Sequence, residues 1–161
     1  MLFRSLATVM LAGGLIRHAG GDAQKSALVP KIADGSLTLA FAHGERQARY
    51  ELADVATTAR KDGDGWVLDG EKGVVLHGDS ADKLIVSARI SGSRRDRDGI
   101  GLFLVDANAS GIVRRGYPTV DGLRAAEIAF TGVKADAALG MPGKAFPTIE
   151  RVVRSEEHTS E

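Results

Sequence analysis

The sequence predicts a mainly β fold with flanking helices, an antiparallel β-barrel or sandwich between two helical segments. Three observations predict it. Short apolar runs recur from Leu37 to Phe130, broken by turn residues about every 8–12 positions, the spacing of an all-β domain. Asp62-Gly63-Asp64-Gly65 and Asp69-Gly70 have hairpin chemistry, because Gly after Asp supplies positive φ at little cost. Helical composition is confined to the ends.

The N-terminal part comes first. Leu6 to Arg17 has helical composition, weakened by Gly13 and Gly14. Gly20, Gly21 and Asp22 form a turn, and Asp22 is placed to cap a second helix, Ala23 to Ala33, with Pro30 in its path. Gly35 is placed to end that helix. Strands are then expected at Leu37–Ala42, Val55–Lys61 and Trp66–Leu68, with a turn at Asp69-Gly70 before Lys72–Leu76. Further strands are expected at Lys83–Ile90, Ile100–Val105, Ile112–Tyr117 and Ala126–Phe130. The chain is expected to leave the sheet at Ala138-Leu139-Gly140, and a helix to begin at Phe146 and run to Val153.

Composition excludes several classes of function. Lys+Arg and Asp+Glu are both 21, so the formal net charge is zero and no bulk attraction to nucleic acid or an anionic membrane is expected. With no cysteine there is no disulfide, thiolate metal site or cysteine nucleophile. His18, His43, His77 and His158 lack metal-ligand spacing. The apolar run from Leu6 to Ile16 mimics a signal sequence but is too short to span a membrane, and reads as an amphipathic or buried helix. A cytoplasmic protein is expected.

Both termini read as foreign to the fold. Arg154 to Glu161, RSEEHTSE, is the peptide that a common sequencing adapter encodes in one frame. The opening MLFRS can be encoded by the reverse complement of codons for RSEEH. Residues 1–5 and 154–161 are therefore expected to be adapter-derived, and Leu6 to Val153 to be the natural insert.

No motif for independent catalysis is present. Gly140-Met141-Pro142-Gly143-Lys144-Ala145 lacks the spacing and hydroxyl residue of a phosphate loop. Asn108-Ala109-Ser110 reads as a hairpin turn and Arg94-Arg95-Asp96-Arg97-Asp98 as a solvated loop.

Two motifs carry a resemblance. The run Ala42-His43-Gly44-Glu45-Arg46-Gln47-Ala48-Arg49-Tyr50-Glu51 is similar to an A-L-T-E-P-x-A-G-S-D motif, keeping Ala42, Glu45 and Ala48. Gly70-Glu71-Lys72-Gly73-Val74-Val75-Leu76-His77-Gly78 is similar to G-x-K-x-(W/F)-I-(T/S)-(N/S)-(G/A). Ala81-Asp82, Ile100 to Val105, Gly111-Ile112 and Gly122-Leu123-Arg124 follow in matching order. Gln24, Lys25, Leu28, Pro30, Ile32, Ala33 and Gly35 fit the segment that leads into the sheet. Together these resemble the acyl-CoA dehydrogenase family, in a divergent branch similar to pimeloyl-CoA dehydrogenase small subunits.

The resemblance implies domain limits: residues 6–36 end an N-terminal helical domain, 37–140 form the middle β-barrel domain, and 141–153 start a C-terminal helical domain. It implies FAD as cofactor, with Phe41, Ala42, His43, Gly44, Val74, Val75 and Leu76 around the flavin. His43 and Gly44 would touch it through backbone amides. Gly44 replaces a threonine whose hydroxyl bonds the ring. Val74 and Leu76 replace an aromatic and a hydroxyl residue, which makes the ring's surroundings drier. Tyr50 replaces a serine that contacts CoA.

The implied reaction is α,β-dehydrogenation of an acyl-CoA. A carboxylate base removes the α-proton while the β-hydrogen leaves as hydride to flavin N5. That base lies beyond residue 161, so no catalytic residue is assigned and the polypeptide alone is expected to be inactive. Glu45 reads as structural. Implied partners are the acyl-CoA substrate, an electron acceptor such as a flavoprotein, and further subunits in a homo- or hetero-oligomer. Two other readings stay open: a non-catalytic acyl- or CoA-binding β-barrel module, and a flavin monooxygenase or nitroalkane oxidase on the same scaffold.

Overall fold

The computed structural model describes residues 12–48, 51–120 and 122–160, with side chains described as far as residue 154. The expected adapter-derived segment 1–5 and the start of the first predicted helix lie outside the described residues. In chain order the elements are α1 (Gly13–Ala19), α2 (Asp22–Ala33), β1 (Leu39–Ala42), β2 (Thr58–Asp62), β3 (Gly65–Leu76) and β4 (Lys83–Arg89). Then follow β5 (Ile100–Asp106), β6 (Ile112–Pro118), β7 (Arg124–Lys134), β8 (Ala137–Leu139) and α3 (Phe146–Ser160).

The mainly β class with flanking helices holds, but the sheet is not closed into a barrel. Among the described residues, eight strands form one mixed sheet in the order β6-β7-β3-β2-β4-β5-β8, with β1 also paired to β4. Nor is it wholly antiparallel. β1 pairs in parallel with β4 from Leu39↔Lys83 to Ala42↔Val86, and β2 pairs in parallel with β4 at Thr58↔Arg89. β1 and β2 thus stand end to end along one edge of β4. Three steps on β4, from Val86 to Arg89, stand opposite sixteen between Ala42 and Thr58, so the chain makes an excursion between the two strands, described over residues 43–48 and 51–57. That interruption builds the site described below.

Packing follows strand alternation. On β4, Leu84, Val86 and Ala88 enter one core and Ile85 the other. On β5, Phe103 and Val105 face the first core, and Ile100, Leu102 and Leu104 the second. Strands buried on both faces read as continuous apolar runs, which is how Leu84–Val86 and Leu102–Val105 stand in the sequence. The second core is capped by Leu15 and Ile16 of α1, Leu28 and Ile32 of α2, and Phe146, Ile149 and Val152 of α3. Each such aliphatic burial contributes about 1.5–3 kcal/mol. Gly14 permits close packing of α1 on α3, since a Cβ there would stand 3.2 Å from Val152 Cγ1.

Several sequence expectations need correction. Asp69-Gly70 is not a turn: β3 runs unbroken from Gly65 to Leu76. Gly70 is needed for close approach, because a Cβ there would lie 2.6 Å from Thr57 Oγ1. Val55 to Thr57 precede β2 and belong to the excursion, where the Val55 N–H donates to the Arg94 carbonyl at 2.9 Å. Ala138 and Leu139 do not leave the sheet but pair with Phe103 and Leu102 as β8. Gly21, rather than Asp22, is the N-cap of α2, and its N–H donates to Gln24 Oε1 at 2.9 Å. Gly35 follows α2 at φ 81°, as expected of a residue ending a helix.

Candidate functional site

The site forms where the strand between β3 and β4 is interrupted. A β-bulge on β3 shapes one wall. Lys72 pairs with Ile128 and Val75 with Ala126, so three steps on β3 oppose two on β7. A bulge re-aims the side chains beyond it. Here Lys72 and Val75 turn inward, while Val74 and Leu76 are 57% and 40% exposed. Gly73 lies at the bulge. Its N–H donates to the Gly44 carbonyl at 2.8 Å, and its carbonyl accepts from the Tyr117 hydroxyl at 3.0 Å.

Gly44 forms an isolated antiparallel bridge to Val74, which joins the end of β1 to β3. Just before it, the Phe41 and His43 rings stack with centroids 5.3 Å apart and planes 17° apart. Phe41, His43, Gly44 and Val74 are therefore brought together, with Leu76 next on the outward face of β3. Ala42 and Val75 belong to the same strand segments, but their side chains are buried in the core, so they offer a ligand only backbone. Tyr50 lies outside the described residues.

Behind this edge sits a buried polar cluster. Lys72 Nζ donates to Glu45 Oε2 at 2.8 Å, Ser87 Oγ at 2.9 Å and the His43 carbonyl at 3.2 Å. All three ammonium protons are thereby satisfied. Glu45 also accepts from the Ala56 and Thr57 N–H groups at 2.9 and 3.2 Å and from Gln47 Nε2 at 2.6 Å. Burial raises the Glu45 pKa, but the Lys72 charge and these donors overcome it and bring it down to about 2. Burial lowers Lys72 to about 8 against the opposing pull of Glu45. Burial, reinforced by the Lys72 charge, takes His43 down to about 3, so its ring is neutral. Glu45 is structural in this geometry, as its place in the motif suggests.

Two further residues, missed in the sequence, hold the excursion in place. The Arg89 guanidinium donates to the carbonyls of Ala53, Val55, Ser91, Arg94, Asp96 and Asp98 at 2.8–3.3 Å. Asp54, 1% exposed, takes Arg94 at 2.9 Å and Arg95 at 3.4 Å. The charged loop at 91–98 is thus tied to the excursion rather than merely solvated. Ser87 is a third residue missed. Polar side chains at Ser87 and Arg89, inside an otherwise apolar strand, were the available signal.

A cleft of about 360 Å³ opens beside the bulge on the outer side of β3, β7 and β6. Gln47, Glu71, Gly73, Val113 and Arg115 line it, and Arg46 forms an ion pair with Glu127 among the lining residues. Ser87 and His43 resemble a nucleophile and its base, but Ser87 is fully buried and no substrate can reach it. Among the described residues no group of three or more His, Asp or Glu could hold a metal, and no helix is long and apolar enough to cross a membrane.

Comparison with known proteins decides the family. The family model for the acyl-CoA dehydrogenase middle domain matches residues 40–133. The chain belongs to the acyl-CoA dehydrogenase family. It is 30% identical over 160 residues to (2S)-methylsuccinyl-CoA dehydrogenase of Cereibacter sphaeroides, covering 90% of this chain and 29% of that protein. It is 37% identical over 99 residues to acyl-CoA dehydrogenase FadE12 of Mycobacterium tuberculosis, covering 62% of this chain and 26% of that one. Among solved structures, the acyl-CoA dehydrogenase from Geobacillus kaustophilus superposes with a TM-score of 0.85 at 30% identity, over 94% of this chain and 43% of that chain. The chain therefore spans less than a third of the length of these two curated relatives. Both motifs that carry the family resemblance fall within the matched residues, at the end of β1 and across the β3 bulge.

Proposed function

We propose that this chain is the flavin-binding middle part of an FAD-dependent acyl-CoA dehydrogenase. On this reading residues 6–36 end an N-terminal helical domain, 37–140 are the middle domain, and 141–153 begin a C-terminal helical domain. The observation that carries the proposal is the outward pair Val74 and Leu76. Two branched aliphatic side chains exposed side by side on a sheet stand unprotected from water unless an apolar surface covers them. Beside them the Gly44 backbone carries no side chain, and Phe41 and His43 are only half buried. Such a face suits a flat, largely apolar ring approached by backbone polar groups.

Bound FAD would supply a hydride acceptor for the β-hydrogen of an acyl-CoA. The chain's own residues would do the positioning, which is most of a protein's work in such chemistry. The β3 bulge sets the height of Val74 and Leu76. The Gly44 bridge fixes the end of β1 against them. The Lys72–Glu45 pair holds the described part of the excursion, and Tyr50 remains the candidate contact for CoA on the family resemblance alone. Glu45, the carboxylate of the flavin-side motif, is not available as a base, because it is committed to Lys72 and three other donors. The base would come from a part of the protein outside these residues, so the 161-residue chain is expected to show no dehydrogenase activity. An electron acceptor and partner subunits belong to the same reading.

The test is anaerobic incubation of the purified, FAD-loaded chain with acyl-CoA and an electron-accepting dye. The proposal predicts flavin binding without dye reduction. Turnover by this chain alone would overturn the assignment of the base. Acyl-CoA binding with no affinity for FAD would favour a non-catalytic binding module.

A further inference from the structure

His43 Nδ1 lies 2.7 Å from Ser87 Oγ, which itself accepts from Lys72 Nζ at 2.9 Å. A serine hydroxyl has one proton to give. Its oxygen already receives the ammonium of Lys72, and His43 Nδ1 is the acceptor within reach. The face of the imidazole is stacked on the Phe41 ring, with centroids 5.3 Å apart. The proton order is then Lys72 N–H to Ser87 O–H to His43 Nδ1, which leaves the ring proton on Nε2.

We infer that Ser87 is a positioning residue, locking His43 as its neutral Nε2–H tautomer and so fixing the backbone from Ala42 to Glu45 where β1 leaves β4 and bridges to β3. Several constraints meet on this short stretch. The His43 carbonyl accepts from Lys72, the Gly44 carbonyl from the Gly73 N–H, and the His43 ring bonds Ser87 and stacks on Phe41. Of these, the Ser87 bond alone ties the His43 ring to β4, the strand that β1 is leaving. Without it the ring can turn, and the Gly44–Val74 bridge loses its lateral support. That Ala42–Glu45 faces a flavin rests on the function proposed above; the tautomer and the backbone position do not.

The test needs no cofactor. Long-range proton–nitrogen spectra of the chain at neutral pH report which ring nitrogen of His43 carries the proton, and backbone amide spectra report residues 42–45. The wild type should show a protonated Nε2 and a hydrogen-bonded, unprotonated Nδ1. Ser87→Ala should move Nδ1 to the position of a free, unprotonated nitrogen and displace the His43, Gly44 and Glu45 amide signals, while Ser87→Thr, which keeps the hydroxyl, should restore both. A protonated Nδ1 in the wild type would overturn the inference without any variant. So would Ser87→Ala spectra in which the ring and the 43–45 amides stay in place. Since FAD is absent, neither result bears on the flavin reading, which is tested separately by flavin binding.

Discussion

Lys72 and Glu45 form an ion pair at 2.8 Å with side chains 0% and 3% exposed, and it fills the gap where the strand between β3 and β4 is interrupted. Breaking a buried pair by removing one partner leaves an uncompensated charge, at a cost of about 3–5 kcal/mol. Lys72→Met and Glu45→Gln should each lower stability by roughly that amount, read from urea unfolding midpoints. The double variant should lose less than the sum of the two singles, because neither charge is then stranded. Additive losses would show that the two groups do not act as a pair.

Acid should destabilise the fold in two stages. The folded pKa of His43, about 3, lies below its ordinary 6.5, so the unfolded chain takes up that proton first. Stability that is complete above pH 6.5 is then lost as pH falls toward 3. Glu45, lowered from 4.5 to about 2, adds a second loss that begins near pH 4.5. His43→Asn should flatten the upper part of the stability profile, between pH 6.5 and 4.5, and leave the lower part. Denaturant midpoints at several pH values check this.

Two glycines should respond differently to alanine. Gly70 sits at φ 148° with its would-be Cβ 2.6 Å from Thr57 Oγ1, whereas Gly63 sits at φ 61° in open space. Gly63→Ala should cost about 1 kcal/mol, the backbone strain alone. Gly70→Ala should cost clearly more, since Thr57 has to move and it anchors the Glu45 carboxylate. Thermal midpoints of the two variants compare the effects.

Arg89→Lys should loosen two loops at once. A planar guanidinium can satisfy carbonyls in several directions, and an ammonium has only three protons. The carbonyls of Ala53, Val55, Ser91, Arg94, Asp96 and Asp98 would compete for those three. The expected result is faster limited proteolysis within 51–57 and 91–98, with cleavage elsewhere little changed.

The strands most buried on both faces were the most legible in the sequence. β4 and β5 read as continuous apolar runs, and their limits agree with the structure to within a residue or two. What the sequence hid was register. Asp69-Gly70 has turn chemistry, yet β7 offers a long antiparallel partner and Gly70 serves the Thr57 contact instead. β1 and β2 look like neighbouring strands, but they share one edge of β4, a relation that no local pattern encodes. At the site, the two motifs located the end of β1 and the β3 edge. Which of Val74, Val75 and Leu76 faces outward depends on the bulge, which depends on pairing with β7. Ser87 and Arg89 appear in the sequence only as polar interruptions of an apolar strand, and their partners come from loops far along the chain.

The central claim is that the outward face at Val74 and Leu76 receives a flavin, and an FAD titration of this chain followed by flavin fluorescence tests it most directly. Burying a charge against an apolar ring is costly, so Val74→Asp and Leu76→Asp should each weaken saturable FAD binding by about tenfold or more, equivalent to about 1.4 kcal/mol. Val29→Asp, at an exposed position on α2, should leave it unchanged. Absence of saturable binding, or binding indifferent to both β3 substitutions, would contradict the account.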